Sequence, residues 1–432
     1  STARRPWNPD PAWADPLLIL LTLLCLLGST LALTGRARSR ATGKAEAVSL
    51  QGRMLDVALG LNLALGGPTR GLPAPRDLPN PWDRALAAVF AAEGGAMAKA
   101  RELADQGPAS GGFRTAFAAA YEGGPAGTAD PSLGEALGGG LGARLLQARL
   151  LPEPARSEAR KGALSAQTGR MVGLVAVGLL GLTLGLGGII YGILLLQARR
   201  EAWPSGPRWE GLTGRGAALA FLGWFTGYFL IGLFSGSLAS VLPGLRPWLL
   251  PLSYLAHAAW GLWLILGVTG LSLGELRARL FPGRWSSALA HALGGWGLAV
   301  LALFLLSLAL APLLRGRASP QEEVMEGLRA ARGATVLPLF LTVAVLAPCF
   351  EELMMRGLLL GHLRERWGQG LALAATSLLF GCIHLQPLAL PTLSTLGALM
   401  GLLLLRTGDL RASILLHGLW NGSLFLLLRA VG

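Results

Sequence analysis

Six side chains able to exchange protons or hydrogen bonds fall in the apolar last third of this sequence, in three groups. Glu351 and Glu352 sit in Leu346-Ala-Pro-Cys-Phe-Glu-Glu-Leu-Met-Met-Arg356; His384 closes Phe380-Gly-Cys-Ile-His384; His417 opens His417-Gly-Leu-Trp-Asn421. A spacing of four puts both members of a pair on one helical face, so Glu352 and Arg356 can form an ion pair. Glu351 points about 100° away from Glu352 and is not the natural partner of Arg356. An ionisable group at membrane depth costs at least ~2.5 kcal/mol and usually faces protein or a water pocket. The pair accounts for Glu352 and Arg356. It leaves Glu351 to be explained.

A carboxylate beside an imidazole can hold a water molecule and take its proton. A second imidazole and an amide N–H can donate to the oxyanion of a tetrahedral intermediate. Together these are the parts for hydrolysing a peptide bond without a covalent intermediate. Glu351, His384 and His417 could instead hold zinc, with water in the fourth position. Other devices for cleavage inside a membrane are missing. There is no HExxH, Ser235-Gly-Ser-Leu has no histidine partner, and Asp409 has no second intramembrane aspartate. His257 and His291 have no residue at i±4 that completes a site and read as packing residues; His362, beside Arg364 and Glu365, reads as interfacial.

The elements that must position these groups are membrane spans. With 52% hydrophobic and 14% charged residues, the chain has too few charges for a soluble enzyme of its length. The expected fold is all-α and polytopic, with about eight or nine transmembrane helices. Residues 1–34 form a tail and first anchor, and 35–170 a soluble Ala/Gly-rich helical region. Residues 171–315 form the spans before the motifs, and 316–432 the motif-bearing region. Spans fall near 171–197, 217–242, 247–273, 287–314, 334–360, 370–385, 389–405 and 412–430. In the soluble region, helices are expected over 82–106 and 142–164, as a degenerate repeat or a loosely packed lid that gates or recruits substrate.

The net charge of +13 is carried almost wholly by arginine. No basic run is interleaved with aromatics, which excludes nucleic acid as the expected partner. Short loops with Arg4, Arg5, Arg199, Arg200, Arg208, Arg215, Arg277, Arg279, Arg284, Arg364, Arg366, Arg406 and Arg411 fall on one side. The opposite side has Arg246, Arg315, Arg317, Arg329, Arg332 and Arg429. The positive-inside rule then places the N-terminus in the cytoplasm, 35–170 outside, and the protein in a cell (inner) membrane. Cys25, Cys349 and Cys382 all lie in apolar segments, so neither a disulfide framework nor a cysteine zinc site is expected. Depth along the spans supports a shared site: Glu351 and His384 both lie roughly 21–22 Å from the loop between their helices. His417 is only roughly 9 Å past Arg411, a mismatch unless that loop is sunken or the helix tilted.

Glu351-Glu352-x-x-x-Arg356, Phe380-x-x-x-His384 and His417-x-x-x-Asn421, in this order and in apolar spans, resemble the three-motif signature of the CPBP family. That family takes in type II CAAX prenyl endopeptidases and bacterial Abi or bacteriocin-immunity proteins. The resemblance covers roughly the last hundred residues. It implies an all-helical intramembrane protease with Glu351 as general base, His384 as its partner, and His417 with Asn421 as the oxyanion site. Glu352, Arg356 and Phe380 would be supports. No cofactor is required on this reading, although zinc on Glu351, His384 and His417 remains an alternative. The expected partners are the lipid bilayer and a membrane-associated peptide or protein substrate. The competing readings are a non-catalytic scaffold or immunity protein that keeps the fold, and a proton-coupled transporter; the latter lacks the inverted repeat such carriers show.

Overall fold

The computed structural model describes residues 7, 11–42, 48–64, 72–109, 112–123, 131–197, 206–314, 331 and 333–431. Arg4, Arg5, Arg199, Arg200, Arg315, Arg317, Arg329 and Arg332, used above for orientation, lie outside them. The described residues contain helices and turns and no strand. In order the helices are α1 (Pro11–Thr42), α2 (Leu50–Ala64), α3 (Pro81–Glu93), α4 (Met97–Asp105), α5 (Phe113–Tyr121), α6 (Pro131–Ala136), α7 (Leu141–Arg149) and α8 (Ala155–Gln197). Then follow α9 (Gly214–Val241), α10 (Arg246–Thr269), α11 (Leu273–Leu280) and α12 (Trp285–Leu314). The next helical run breaks at Gly368, whose φ of 76° and ψ of 167° no helix contains. It divides into α13, residues 336–367, and α14, residues 369–383. Finally come α15 (Leu390–Thr407) and α16 (Leu410–Val431).

Among the described residues, seven stretches are long and apolar enough to cross a membrane, from Ala14–Thr34 to Pro387–Thr407. The expected count was higher for two physical reasons. Gly333–Ile383 counts as one stretch although Gly368 bends it into two helices. Polar residues such as Arg411, His417 and Asn421 dilute the hydropathy of α16. The chain is a polytopic helical membrane protein.

The described residues fall into two compact units, one from 1–39, 181–309 and 330–426, the other from 40–180, 310–329 and 427–432. The second unit has a packed core of its own, with Leu86, Phe90, Phe113, Phe117, Leu141 and Leu145 inaccessible to solvent. That packing argues against a loose lid. Its helices are also shorter than the sequence pattern suggests. Gly94 and Gly95 end α3 and restart the chain as α4, and Pro152 and Pro154 separate α7 from α8. Asn80 caps α3 by accepting from the Trp82 N–H at 2.8 Å. Buried Asp56 accepts from the N–H groups of Leu141 and Gly142 at 2.9 and 2.8 Å, satisfying the start of α7. The Glu93 carboxylate accepts from Arg149 at 2.7 Å, Arg160 at 3.3 Å and the Tyr121 hydroxyl at 3.1 Å. Burial and the adjacent Glu93 charge push the Tyr121 phenol well up, which keeps it a donor.

In the first unit, small residues let helices approach. A Cβ on Gly188 of α8 would lie 2.3 Å from the backbone of Gly297 on α12, so these helices cross in backbone contact. The hairpin of α14 and α15 closes the same way. A Cβ on Gly381 would meet Ser394 at 2.6 Å, and one on Gly401 would meet Leu373 at 2.4 Å.

Candidate active site

Helix α13 carries the acidic pair and is not regular. Thr342–Leu346 and Leu353–Leu360 are π-helical, flanking Ala347–Glu352. Pro348 explains the first irregularity. It has no N–H to give the Ala344 carbonyl, and its ring crowds that oxygen, so the helix widens. The neighbouring carbonyls are then answered by α16. Asn421 Nδ2 donates to the Val343 carbonyl at 3.0 Å, and a Cβ on Gly418 would lie 2.6 Å from the Ala344 oxygen. Only glycine at 418 lets α16 come this close, and the adjacent residue is His417.

The geometry is as follows. Glu352 is fully buried, and its Oε1 accepts from Arg356 Nη1 at 2.8 Å and pairs with His417 Nδ1 at 3.0 Å. Arg356, also fully buried, uses Nη2 on the Gly397 carbonyl of α15 at 3.0 Å. Gly397 admits the guanidinium because a Cβ there would lie 3.0 Å from Nη2. Glu351 is partly accessible, with 18% of its side chain exposed, and its Oε2 lies 3.9 Å from His417 Nε2. That is too long for a direct hydrogen bond. His417 therefore stands between the two carboxylates, one ring nitrogen towards each.

Phe380 holds the remaining pieces in register. Its buried ring lies 4.3 Å from the Arg356 guanidinium carbon, a cation–π contact. It meets the rings of His384 and His417 edge-on, with centroids 4.8 and 5.6 Å away. His384 pairs through Nδ1 with the Phe380 carbonyl at 2.7 Å and lies within electrostatic reach of Glu351 and His417. A carbonyl can only accept, so Nδ1 carries the proton and Nε2 of the neutral ring is an acceptor. Leu385 then takes φ 54°, rare outside glycine, and turns the chain at once towards α15.

The three motifs meet, and the depth mismatch at His417 has a cause. Residues 408–410 are buried, and Arg411 reaches back to the Phe281 carbonyl at 3.0 Å while pairing with buried Asp409 at 2.7 Å. The loop before α16 is sunken into the protein, which carries His417 down to the level of the acidic pair.

Sequence patterning missed the wall opposite. Tyr254 and His257 on α10 lie within electrostatic reach of Glu351. His257 donates through Nε2 to the Trp224 carbonyl at 2.8 Å and stacks on the Trp224 ring at 5.1 Å, so its packing role stands. Neither residue has a sequence signal, since they lie almost a hundred residues before the first motif. The same geometry bears on zinc. The Nδ1 contacts of His384 and His417 are of the kind that orient metal-binding imidazoles. Yet among the described residues no three His, Cys, Asp or Glu side chains gather closely enough to hold an ion. Glu351, His384 and His417 do not form a ready ligand set as they stand.

The buried ion pair sets a stability requirement. Arg356→Ala leaves the buried Glu352 charge without its cationic partner and should cost about 3–5 kcal/mol. Arg356→Lys keeps the charge but cannot reach Glu352 and Gly397 at once, so it should recover only part of the loss. Thermal unfolding of purified protein measures both; a lysine variant as stable as wild type would disprove the two-pronged role.

The model of the family described as type II CAAX prenyl endopeptidase Rce1-like matches residues 333–423, from the turn before α13 through Asn421 on α16. An uncharacterized 24.3 kDa protein of Escherichia coli is 35% identical over 130 residues, covering 29% of this chain and 57% of that protein. The chain thus spans somewhat over half the length of this curated relative. No solved structure matches. Every motif residue lies inside the matched stretch and the three motifs gather at one place, so residues 333–423 are similar to the type II CAAX prenyl endopeptidase Rce1-like family.

Proposed function

We propose that this protein is an intramembrane endopeptidase that hydrolyses a peptide bond of a membrane-associated protein or peptide. The observation that carries the reading is the placement of His417 between Glu351 and Glu352. With Glu352 ionised and paired to Arg356, its Oε1 can only accept, so Nδ1 of His417 donates and Nε2 of the neutral ring faces Glu351 as an acceptor. Glu351 is the base that takes a proton from water as the hydroxyl oxygen bonds to the scissile carbonyl carbon. His384 Nε2 accepts the second hydrogen bond of that water. The proton moves from Glu351 to His417 Nε2, and the resulting imidazolium, stabilised by Glu352, donates to the oxyanion together with the free N–H of Asn421. Collapse of the intermediate breaks the C–N bond, and the same proton leaves on the amine. This assignment keeps His417 and Asn421 as the oxyanion site and gives Glu352 a second task beyond bracing, since it fixes the tautomer of His417.

The family name points to prenylated C-terminal peptides as one substrate class; a lipid-free membrane segment is the other, and matched prenylated and unprenylated peptides distinguish them. The N-terminus is assigned to the cytoplasm on the arginine distribution.

Glu351→Gln should lower cleavage by about 10²–10⁴-fold, the range for removing a general base, with folding unchanged. A variant that cleaves normally, or a wild-type phenotype indifferent to the substitution, would move the reading to a scaffold. Cleavage should survive prolonged chelation, because no step uses an ion; loss on chelation with recovery on adding zinc would replace the Glu351 base with a metal site. For orientation, membrane-impermeant thiol labelling of a cysteine placed at Glu102 should occur only from the extracytoplasmic side, and labelling from the cytoplasmic side would invert the topology.

A further inference from the structure

A second polar cluster lies where α8, α12 and α15 meet. The Tyr191 hydroxyl and His291 Nδ1 are hydrogen-bonded at 2.8 Å, with ring centroids 5.8 Å apart. The backbone contact of Gly188 with Gly297 brings their helices together, and Gly294 makes room for the Tyr191 ring, which a Cβ would approach to 2.5 Å. Leu403 of α15 packs on Gly295, and Arg406, one turn further, lies within electrostatic reach of both Tyr191 and His291. Arg406 makes no ion pair or hydrogen bond among the described residues, and its Nε is buried without a partner. Arg406 is only partly buried, and withdrawing its Nε from water without a partner favours an anion that answers the guanidinium.

The position suggests which anion. Tyr191 lies six residues before the end of α8 at Gln197, and His291 six after the start of α12 at Trp285. At ~1.5 Å per residue both sit roughly 9 Å inside the helix ends, at the boundary of headgroup and hydrocarbon. This is the end of the spans that also carries Arg284 and Arg411. Ile190 and Leu194 on α8, and Trp285, Leu289 and Leu293 on α12, are exposed beside the cluster, an apolar flank suited to acyl chains. If the Tyr191 hydroxyl donates to Nδ1, the neutral imidazole presents Nε2–H as a second donor beside the guanidinium.

We propose that Arg406, His291 and Tyr191 form a binding site for the phosphate headgroup of an anionic lipid, whose chains lie along the exposed faces of α8 and α12. A net-negative headgroup neutralises Arg406. A zwitterion brings a cation for which Arg406 offers no answering carboxylate. The site does not depend on the proteolytic reading, because none of its residues belongs to the motif cluster.

The test uses full-length protein in detergent, with binding followed by native mass spectrometry against phosphatidylglycerol, phosphatidylcholine and inorganic phosphate. Phosphatidylglycerol should bind about tenfold or more tighter than phosphatidylcholine, the factor expected for one charge-assisted contact. Arg406→Gln should abolish that preference and Arg406→Lys keep most of it. His291→Phe, which leaves the charge in place, should reduce it. Equal binding of the two lipids by wild type, or an undiminished preference in Arg406→Gln or His291→Phe, would overturn the site. Inorganic phosphate displacing phosphatidylglycerol at millimolar concentration would overturn the lipid assignment in favour of a free anion.

Discussion

One carboxylate oxygen, Glu352 Oε1, is the point on which the candidate site turns. It accepts from Arg356 and pairs with His417, so a helix bearing acids, a helix bearing an imidazole and, through Arg356, the Gly397 carbonyl of a third helix are joined at a single buried atom. In a low-dielectric interior such a junction is stable only when each charge is matched. Here one guanidinium serves one carboxylate, and the imidazole needs no charge of its own. That arrangement leaves Glu351, the neighbour in sequence, without obligations to the scaffold and partly open to solvent.

The backbone around this atom departs from regular geometry where the polar groups must meet. Pro348 removes a donor inside a span, the helix widens over Thr342–Leu346, and α16 docks against the affected carbonyls with a glycine and an amide. Close approach by glycine recurs at Gly381, Gly397 and Gly401, where α14, α15 and the Arg356 side chain would otherwise collide. Lipid offers no hydrophobic gain for packing one helix on another, so short contacts of this kind hold the cluster together.

Much of this could be read from the chain. The apolar spans follow from composition, and the four-residue spacings identified Glu352 with Arg356, the Phe380–His384 pair and the His417–Asn421 pair as shared faces. What spacing could not supply was three-dimensional depth. His417 looked too shallow because the burial of Gly408, Asp409 and Leu410 is a tertiary effect with no local signature. The π-helical turns were equally invisible, and Pro348, which accounts for the first, reads in sequence only as a kink. Nor does periodicity reveal that Tyr254 comes within electrostatic reach of Glu351, because that depends on how α10 packs, far from any motif. In the second unit the pattern found helical stretches but overran Gly94, Gly95, Pro152 and Pro154, where a local break outweighs the repeat of apolar residues.

The bond from Asn421 to the Val343 carbonyl has a thermodynamic consequence. An amide carries two N–H vectors in one plane, and tying the first to the backbone fixes the direction of the second before any acceptor arrives. An incoming carbonyl therefore need not freeze the torsions of that side chain, a saving of about 0.5–1.5 kcal/mol per ordered side chain. The rotational entropy has already been surrendered during folding, so the second N–H behaves as a fixed dipole and not as a tethered rotor.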